Sequence, residues 1–317
     1  MYQGCKDNQT EGQKAKNYKL EEICASILTP EWEEKTVWAS YPVRNQDGSS
    51  QCVCMTLATE MGIIFEQKYN EWIDFSSSFP YQQRGGTYGG CTSADIYSVF
   101  PKLGNVFENT MLSQNMNETQ CQTVEMKSWY KDIAKPFIVK RIQLPIDFET
   151  VASTIFATGK GVMVWFSFAS SEWTPIPEVS TQPANSNHSV TAIDFLLKGG
   201  KKYLVIQDSY GLGTGTNGCR LISEEFFKAK CFLASYLKTF EIINPDLMER
   251  PKFDGSIMSA QTCFKYEGLF PSNIAEVEAW GPITTGACIA FQKRYNITPA
   301  LGVFGPITQA KLLEIYK

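Results

Sequence analysis

Histidine is almost missing from this chain: 317 residues carry one, His188. A site that needs two imidazoles is therefore excluded. The ten cysteines contain no Cys-x-x-Cys pair to supply metal ligands instead, so neither a metal nor a cofactor is expected. Long apolar runs are missing too. Nothing approaches the ~18 residues of a membrane span, and the longest candidate, residues 161–168, has the length of a strand. Dense Lys/Arg runs are absent, and a formal net charge of −4 argues against a nucleic-acid surface. The polar stretch 1–10 has no basic segment followed by an apolar one, so no signal peptide is visible.

What is present suffices for two domains. A content of 43% hydrophobic and 13% aromatic residues can build buried cores, which sets the chain apart from disordered ones. The cysteines are spread through a chain large enough to fold without staples. Most are expected to be reduced and buried, with one or two disulfides open to a protein working outside a cell.

Residues 46–54, Gln-Asp-Gly-Ser-Ser-Gln-Cys-Val-Cys, form a glycine- and serine-rich loop that runs into an apolar segment. Leu57, Met61, Ile64, Phe65, Tyr69 and Trp72 share one face at helical spacing, which predicts a helix with Cys52 in its first turn. Unpaired N–H groups and the helix dipole favour an anion there, so a thiol ionises more readily. Gln46, upstream on the loop, offers an amide donor. A thiol nucleophile with an oxyanion donor has this arrangement. A cysteine at a helix start also serves as a small packed residue, and Cys54 is a rival two positions on.

The lone histidine stands in Ser-Asn-His188-Ser-Val-Thr-Ala-Ile, an alternating run that leads to Gly199-Gly200 and then to Tyr203-Leu-Val-Ile-Gln-Asp208. This pattern predicts a β-hairpin turning at the glycines. A near-symmetric hairpin brings His188 and Asp208 side by side, where a carboxylate fixes the imidazole's tautomer and stabilises its protonated form.

Taken together, these motifs resemble the papain-like cysteine peptidases. Val43-Arg44-Asn45-Gln46 and Ser50-Gln51-Cys52-Val53 look like the family's glutamine loop and nucleophile, and His188-Ser-Val-Thr-Ala-Ile like its histidine strand. Asp208-Ser-Tyr-Gly211 and Gly215-Thr-Asn-Gly218-Cys-Arg look like the third-member motif and the run that follows it. Gly89-Gly90 resembles the glycine pair lining the substrate cleft. The resemblance covers residues 40–240 in the expected order. It implies an α+β fold with a helical lobe and a β-barrel-like lobe. It also implies Cys52, His188, Asp208 and Gln46 as the catalytic set, and Gly89, Gly90, Asn187 and Tyr210 along the cleft. Three departures stand out: Asp208 replaces the usual Asn, Val53 the aromatic after the nucleophile, and Tyr210 the usual Trp. Cys52 is preferred over Cys54 for its distance from Gln46.

Residues 1–39 read as an N-terminal arm with a short apolar patch at 20–28. The resemblance implies that such arms are often inhibitory pro-segments, but this one is short for that and reads as a strap around the domain at 40–241. Within that domain, 93–103 has helical spacing, 115–122 is polar and turn-like, 147–158 reads as a helix and 162–168 as a buried strand. The Ser/Pro/Glu-rich loop 170–187 precedes His188 and so borders the leaving-group side of the cleft; Trp173 reads as a substrate wall or, more commonly for an aromatic in a long loop, as its anchor. Prolines and charges without a period mark 242–258 as a semi-extended linker.

The segment 259–317 holds a repeat: Gly281-Pro-Ile-Thr recurs as Gly305-Pro-Ile-Thr. Proline is tolerated at a first helical position, so each copy opens a helix. With an earlier helix ending at Gly268, a small three-helix bundle is predicted. Trp280-Gly-Pro-Ile-Thr, Phe291-Gln292 and Gly302-Val-Phe-Gly-Pro-Ile-Thr resemble the peptidoglycan-binding domain of cell-wall hydrolases. Such bundles also serve as plain docking modules.

The combined expectation is a cysteine endopeptidase using Cys-His-Asp chemistry on a peptide or protein substrate. The resemblance places it outside the cell or on a phage particle, held at the bacterial wall by peptidoglycan. The alternative is a catalytically inactive papain-like structural or adhesion component, for example of a bacteriophage.

Overall fold

The computed structural model describes residues 4–10, 29–86, 89–240, 251–271 and 274–316. In chain order these form β1 (Cys5–Lys6), α1 (Cys52–Tyr69), α2 (Ser78–Gln82), β2 (Cys91–Thr92) and a π-helical turn (Asp95–Val99) leading into α3 (Phe100–Leu103). Next come α4 (Glu118–Thr123), α5 (Tyr130–Ala134), β3 (Val139–Leu144), α6 (Phe148–Thr158), β4 (Val162–Phe168), β5 (Ser186–Lys198) and β6 (Lys201–Gln207). The rest is β7 (Cys219–Ser223), α7 (Glu224–Lys230), β8 (Cys231–Phe240), α8 (Ile257–Tyr266), α9 (Pro282–Arg294) and α10 (Pro306–Ile315).

Helix α1 is the axis of the molecule. It is buried all round rather than on one stripe: every residue from Cys52 to Phe65 is buried, polar Thr56, Thr59 and Glu60 included, as in a helix enclosed on all sides. On one flank lie Phe75, Phe107, Phe137 and Phe240, whose rings pack edge-on or tilted at 5.0–6.0 Å. On the other flank lies the sheet. Inside the contact, Arg141 of β3 makes a two-pronged ion pair with Glu60, 2.5 Å at its shorter arm, with both side chains at most 2% exposed. The helix stops at Asn70, whose left-handed backbone (φ 53°) an asparagine adopts at low cost. Trp72 is therefore not on the helix face where the spacing put it. It lies past the end, stacked on Tyr41 at 5.6 Å.

The sheet has six strands in the order β3-β8-β4-β5-β6-β7, and all its pairings are antiparallel. The expected hairpin is there: β5 and β6 turn at Gly199 and Gly200, both at positive φ (59° and 73°), and pair as Lys198↔Lys201. One irregularity, between Ala192 and Asp194, shifts the register. Helix α6 begins where expected, because Asp147 accepts the Thr150 N–H as its cap. The helical lobe carries one element that composition hid. Residues 118–123, read as a turn, form α4, because Asn117 and Gln120 close a reciprocal capping box at its start.

Helices α8, α9 and α10 enclose a core of their own around Phe264, Phe291, Leu312 and Tyr316. The sequence repeat has a structural counterpart. Gln292 Nε2 donates to Thr308 of the second Gly-Pro-Ile-Thr copy at 2.8 Å, while its Oε1 accepts the Gly302 N–H. Gln261 does the same for the first copy, donating to Thr284 at 2.9 Å and accepting the Val277 N–H. The bundle meets the helical lobe where Thr110 Oγ1 donates to the Gly268 carbonyl at 3.2 Å. Much of the proposed linker, residues 242–250, lies outside the described residues, as does the apolar patch at 20–28.

Candidate active site

Cys52 is the first residue of α1, and β5 runs past it with His188. The two elements are clasped by Ser189 Oγ, which donates to Thr56 Oγ1 at 3.0 Å; Thr56 in turn bonds the Cys52 carbonyl. His188 Nε2 lies 2.7 Å from Asp208 Oδ1, so the ring's other nitrogen is the one left for the thiol. The hairpin therefore brings the two residues together as expected. Asp208 stands just past the end of β6, its N–H bonded to the Gly218 carbonyl.

The Asp208 carboxylate is wholly buried and fully bonded. Oδ1 takes His188 and the Ser209 N–H, and Oδ2 takes Arg220 Nε at 2.8 Å and Trp173 Nε1 at 2.9 Å. Tyr210 lies flat on His188, centroids 4.8 Å apart and planes 15° apart, and Trp173 meets the same ring edge-on at 5.7 Å. The imidazole is thus held between two aromatic side chains. The position that departs from the family's usual Trp still supplies an aromatic face, and a tryptophan arrives from the loop before β5.

Ionisation follows from these contacts. Burial favours the neutral thiol of Cys52. Hydrogen bonds from Cys5 and His188, the His188 charge and the Ser189 backbone outweigh that and lower its pKa to about 5. Burial likewise disfavours imidazolium at His188, but the Asp208 charge and hydrogen bond, helped by Cys52, raise its pKa to about 9. Asp208 is held down at about 2, against its burial, by His188 and Arg220. A thiolate–imidazolium pair is the favoured state across neutral pH. Cys54 differs: its thiol points to Cys91, sulfur to sulfur 3.6 Å, and burial pushes its pKa up.

Gln46 sits 1% exposed on the loop before α1. Its Oε1 accepts Ser209 Oγ at 2.5 Å and its Nε2 donates one proton to the Ser49 carbonyl at 2.6 Å. A primary amide has a second N–H, and Gln46 lines the small space above Cys52 together with Asn187, His188 and Tyr210. The Gln46 loop and the Asp208 loop are sewn together, Gln46 N–H to Ser209 O at 2.8 Å and Gly211 N–H to Arg44 O at 2.9 Å. Beneath them Arg44, 1% exposed, pairs with Asp74 at 3.2 Å.

Gly89 and Gly90 lead into β2, and the arm has taken the strand edge they begin. Strand β1 pairs parallel with β2, Cys5 opposite Cys91, with the Cys91 N–H donating to the Gly4 carbonyl at 2.9 Å. Asn187 Nδ2 donates to the Cys5 carbonyl at 3.2 Å. Beyond, Asp7 and Asn8 both accept Ser93 Oγ, at 2.6 and 3.0 Å, and Asn8 also accepts the Ala94 N–H. Gly4 lies directly over Cys52: a Cβ there would fall 2.2 Å from Cys52 Sγ. The free volume left beside Cys52 is about 10 Å³, at the limit for one water. The strap reading of the arm thus holds only for its second part. There Trp32 donates to Glu149, Lys35 pairs with Asp194, and Glu34 bridges to Leu197. Residues 4–8 instead cross the cleft.

Sequence pattern gave no role here to Arg220, Ser209, Gly4 or Cys5, and it made Trp173 a loop residue rather than a partner of Asp208. Arg220 and Ser209 do stand in runs quoted for the resemblance, Gly218-Cys-Arg and Asp208-Ser-Tyr-Gly211. Among the described residues no His/Cys/Asp/Glu group is arranged to hold a metal ion, and no helix is long and apolar enough to cross a membrane.

No family model and no curated protein matches this sequence. Solved structures do. Xylellain, a cysteine protease from Xylella fastidiosa, superposes with a TM-score of 0.62 at 14% identity, over 75% of this chain and 96% of that one. The protease and lectin-like domains of Cwp84, a surface layer associated protein of Clostridium difficile, give 0.51 at 17% identity, over 68% of this chain and 55% of that one. A clostridial Cwp84 structure after propeptide cleavage gives 0.53 at 16%. The fold is papain-like.

Proposed function

We propose that this chain is a cysteine endopeptidase with Cys52 as nucleophile. The observation that carries the reading is the buried chain Cys52–His188–Asp208, in which the thiol's pKa is lowered and the imidazole's raised. The thiolate attacks the scissile carbonyl carbon. The oxyanion that forms is met by the free N–H of Gln46 Nε2 and the Cys52 backbone N–H at the start of α1. Protonated His188 gives its proton to the leaving amine, and an acyl-enzyme remains. Neutral His188 then takes a proton from water, whose oxygen attacks the acyl carbon and releases Cys52. Asp208 keeps the imidazole in one tautomer and orientation, and Arg220 and Trp173 position Asp208.

Neutral pH favours the charged pair, and β2 offers a peptide the edge that the arm now occupies. The alternative, an inactive component, gives no reason for burying a charged aspartate against the lone histidine.

The bundle is proposed to hold the enzyme on the bacterial wall, which raises the local substrate concentration. Its support is the doubled Gln–Gly-Pro-Ile-Thr clasp and a concave surface of about 550 Å³ beside it, lined by Trp129, Leu269, Ile274 and Ile283 among others. An epoxide-type cysteine-peptidase probe tests the catalytic part. Stoichiometric labelling of Cys52 that vanishes in His188→Ala supports it, and labelling at Cys54 or nowhere, in protein freed of its arm, contradicts it. Co-sedimentation of the full chain with purified peptidoglycan tests the anchor.

A further inference from the structure

The arm places a second thiol on the nucleophile. Cys5 is 2% exposed and Cys52 1% exposed, and the Cys5 thiol hydrogen-bonds to the Cys52 sulfur. The approach is fixed from both sides. Gly4 has no side chain and so lets the backbone ride over Sγ; the Cys91 N–H and Asn187 Nδ2 hold the carbonyls of Gly4 and Cys5. An arm that only blocked a cleft has no use for a thiol at this point, where any small residue would fit.

We propose that Cys5 and Cys52 form a disulfide modification site, taking a low-molecular-weight disulfide as oxidant, and that this bond locks the arm in the cleft. When the two-residue strand β1 lifts, the Cys52 thiolate attacks one sulfur of the oxidant RSSR. An S–S bond to Cys52 forms and RS⁻ leaves, taking up a proton. The arm returns, Cys5 loses its proton to solvent or His188, and its sulfur attacks the Cys52 sulfur and expels the second RS⁻. Two thiols are oxidised by two electrons and RSSR is reduced to two RSH. Reductant reverses both steps.

Other thiols are less suited to the first attack. Cys54 and Cys91 touch each other at 3.6 Å, but burial raises the pKa of both and neither lines the space beside Cys52. The thiolate character of Cys52 makes it the entry point, and Cys5 is its hydrogen-bonded neighbour on the arm.

The lock as a form of control rests on Cys52 being the nucleophile of a peptidase; the disulfide itself does not. The test uses the full chain, reduced and then exposed to oxidised glutathione, with peptide mapping under non-reducing conditions. The expected product is a Cys5–Cys52 linked peptide with two hydrogens lost and no retained glutathione. Epoxide-probe labelling is lost with it and returns on reduction. Cys5→Ser should instead keep one glutathione on Cys52. The proposal is overturned if wild type retains glutathione on Cys52 as Cys5→Ser does, if Cys52 stays unmodified, or if the link formed is Cys54–Cys91. Failure of the reduced full chain carrying Gly4→Leu, whose arm cannot stay seated, to react with the epoxide probe would count against the peptidase reading and leave the linked peptide standing.

Discussion

Arg220 donates through Nε to Oδ2 of Asp208 at 2.8 Å, and the pair is buried, with side chains 7% and 0% exposed. This accounts for the aspartate at a position where the resembled family carries an amide. A carboxylate with one imidazolium partner would over-stabilise the charged ring. A guanidinium on its far oxygen shares the charge and, with Trp173 Nε1, satisfies that oxygen's lone pairs.

Replacing Arg220 by Gln should move the alkaline limb of kcat/KM upward, because His188 then faces a carboxylate with less competition for its charge. It should also cost about 1–3 kcal/mol of stability through the lost charged hydrogen bond. A pH–rate profile and a denaturant melt read the two effects separately. A uniform loss of activity with an unmoved profile would mark Arg220 as structural only.

Asp208→Asn should shift the same limb the other way. In wild type the ion pair is present from about 5, the lowered value of Cys52, to about 9, the raised value of His188. The activity profile should rise through the first value and fall through the second. Removing the carboxylate charge takes away the chief cause that raises His188, and Arg220 stays behind as an uncompensated cation. The alkaline limb should fall toward the ordinary histidine range; an unchanged limb would show that Asp208 does not set it.

Gly4→Leu should free the cleft. The new Cβ would lie 2.2 Å from Cys52 Sγ, so the arm cannot stay seated. An overpacking cost of about 1–3 kcal/mol weakens arm binding by about 5- to 150-fold. Under reducing conditions the probe-labelling rate of Cys52 should rise by a similar factor. No change, or slower labelling, would mean that the arm does not compete for the site.

Glu60→Ala leaves Arg141 buried without its partner. Breaking a buried pair from one side costs about 3–5 kcal/mol, so the denaturation midpoint should drop sharply. Because this pair joins α1 to β3 away from the thiol, residual folded protein should keep its pH profile. A stability change below ~1 kcal/mol, the scale of an exposed pair, would show that the pair is not buried in solution.

The legible parts were those that depend on period and turn chemistry. Gly199-Gly200 between alternating runs specified the hairpin and so the meeting of His188 with Asp208. Gly281-Pro and Gly305-Pro opened α9 and α10 as expected. Trp173 and Arg220 were not legible in their roles, because they reach Asp208 from 35 and 12 positions away through folding that no local pattern encodes. Helix α4 was hidden because polar residues that look like a turn also make a capping box. Nothing in a polar Gly4-Cys5-Lys6 announces a strand, since its pairing edge on β2 is far along the chain.

The most direct measurement is the pH dependence of Cys52 alkylation by iodoacetamide, in reduced protein, for Gly4→Leu with and without His188→Ala. The account predicts an apparent pKa for Cys52 far below the ordinary thiol value of about 8.5, and a return to that range when His188 is removed. An ordinary thiol pKa with His188 present, or a low one indifferent to its loss, would contradict the thiolate–imidazolium pair on which the proposed function stands.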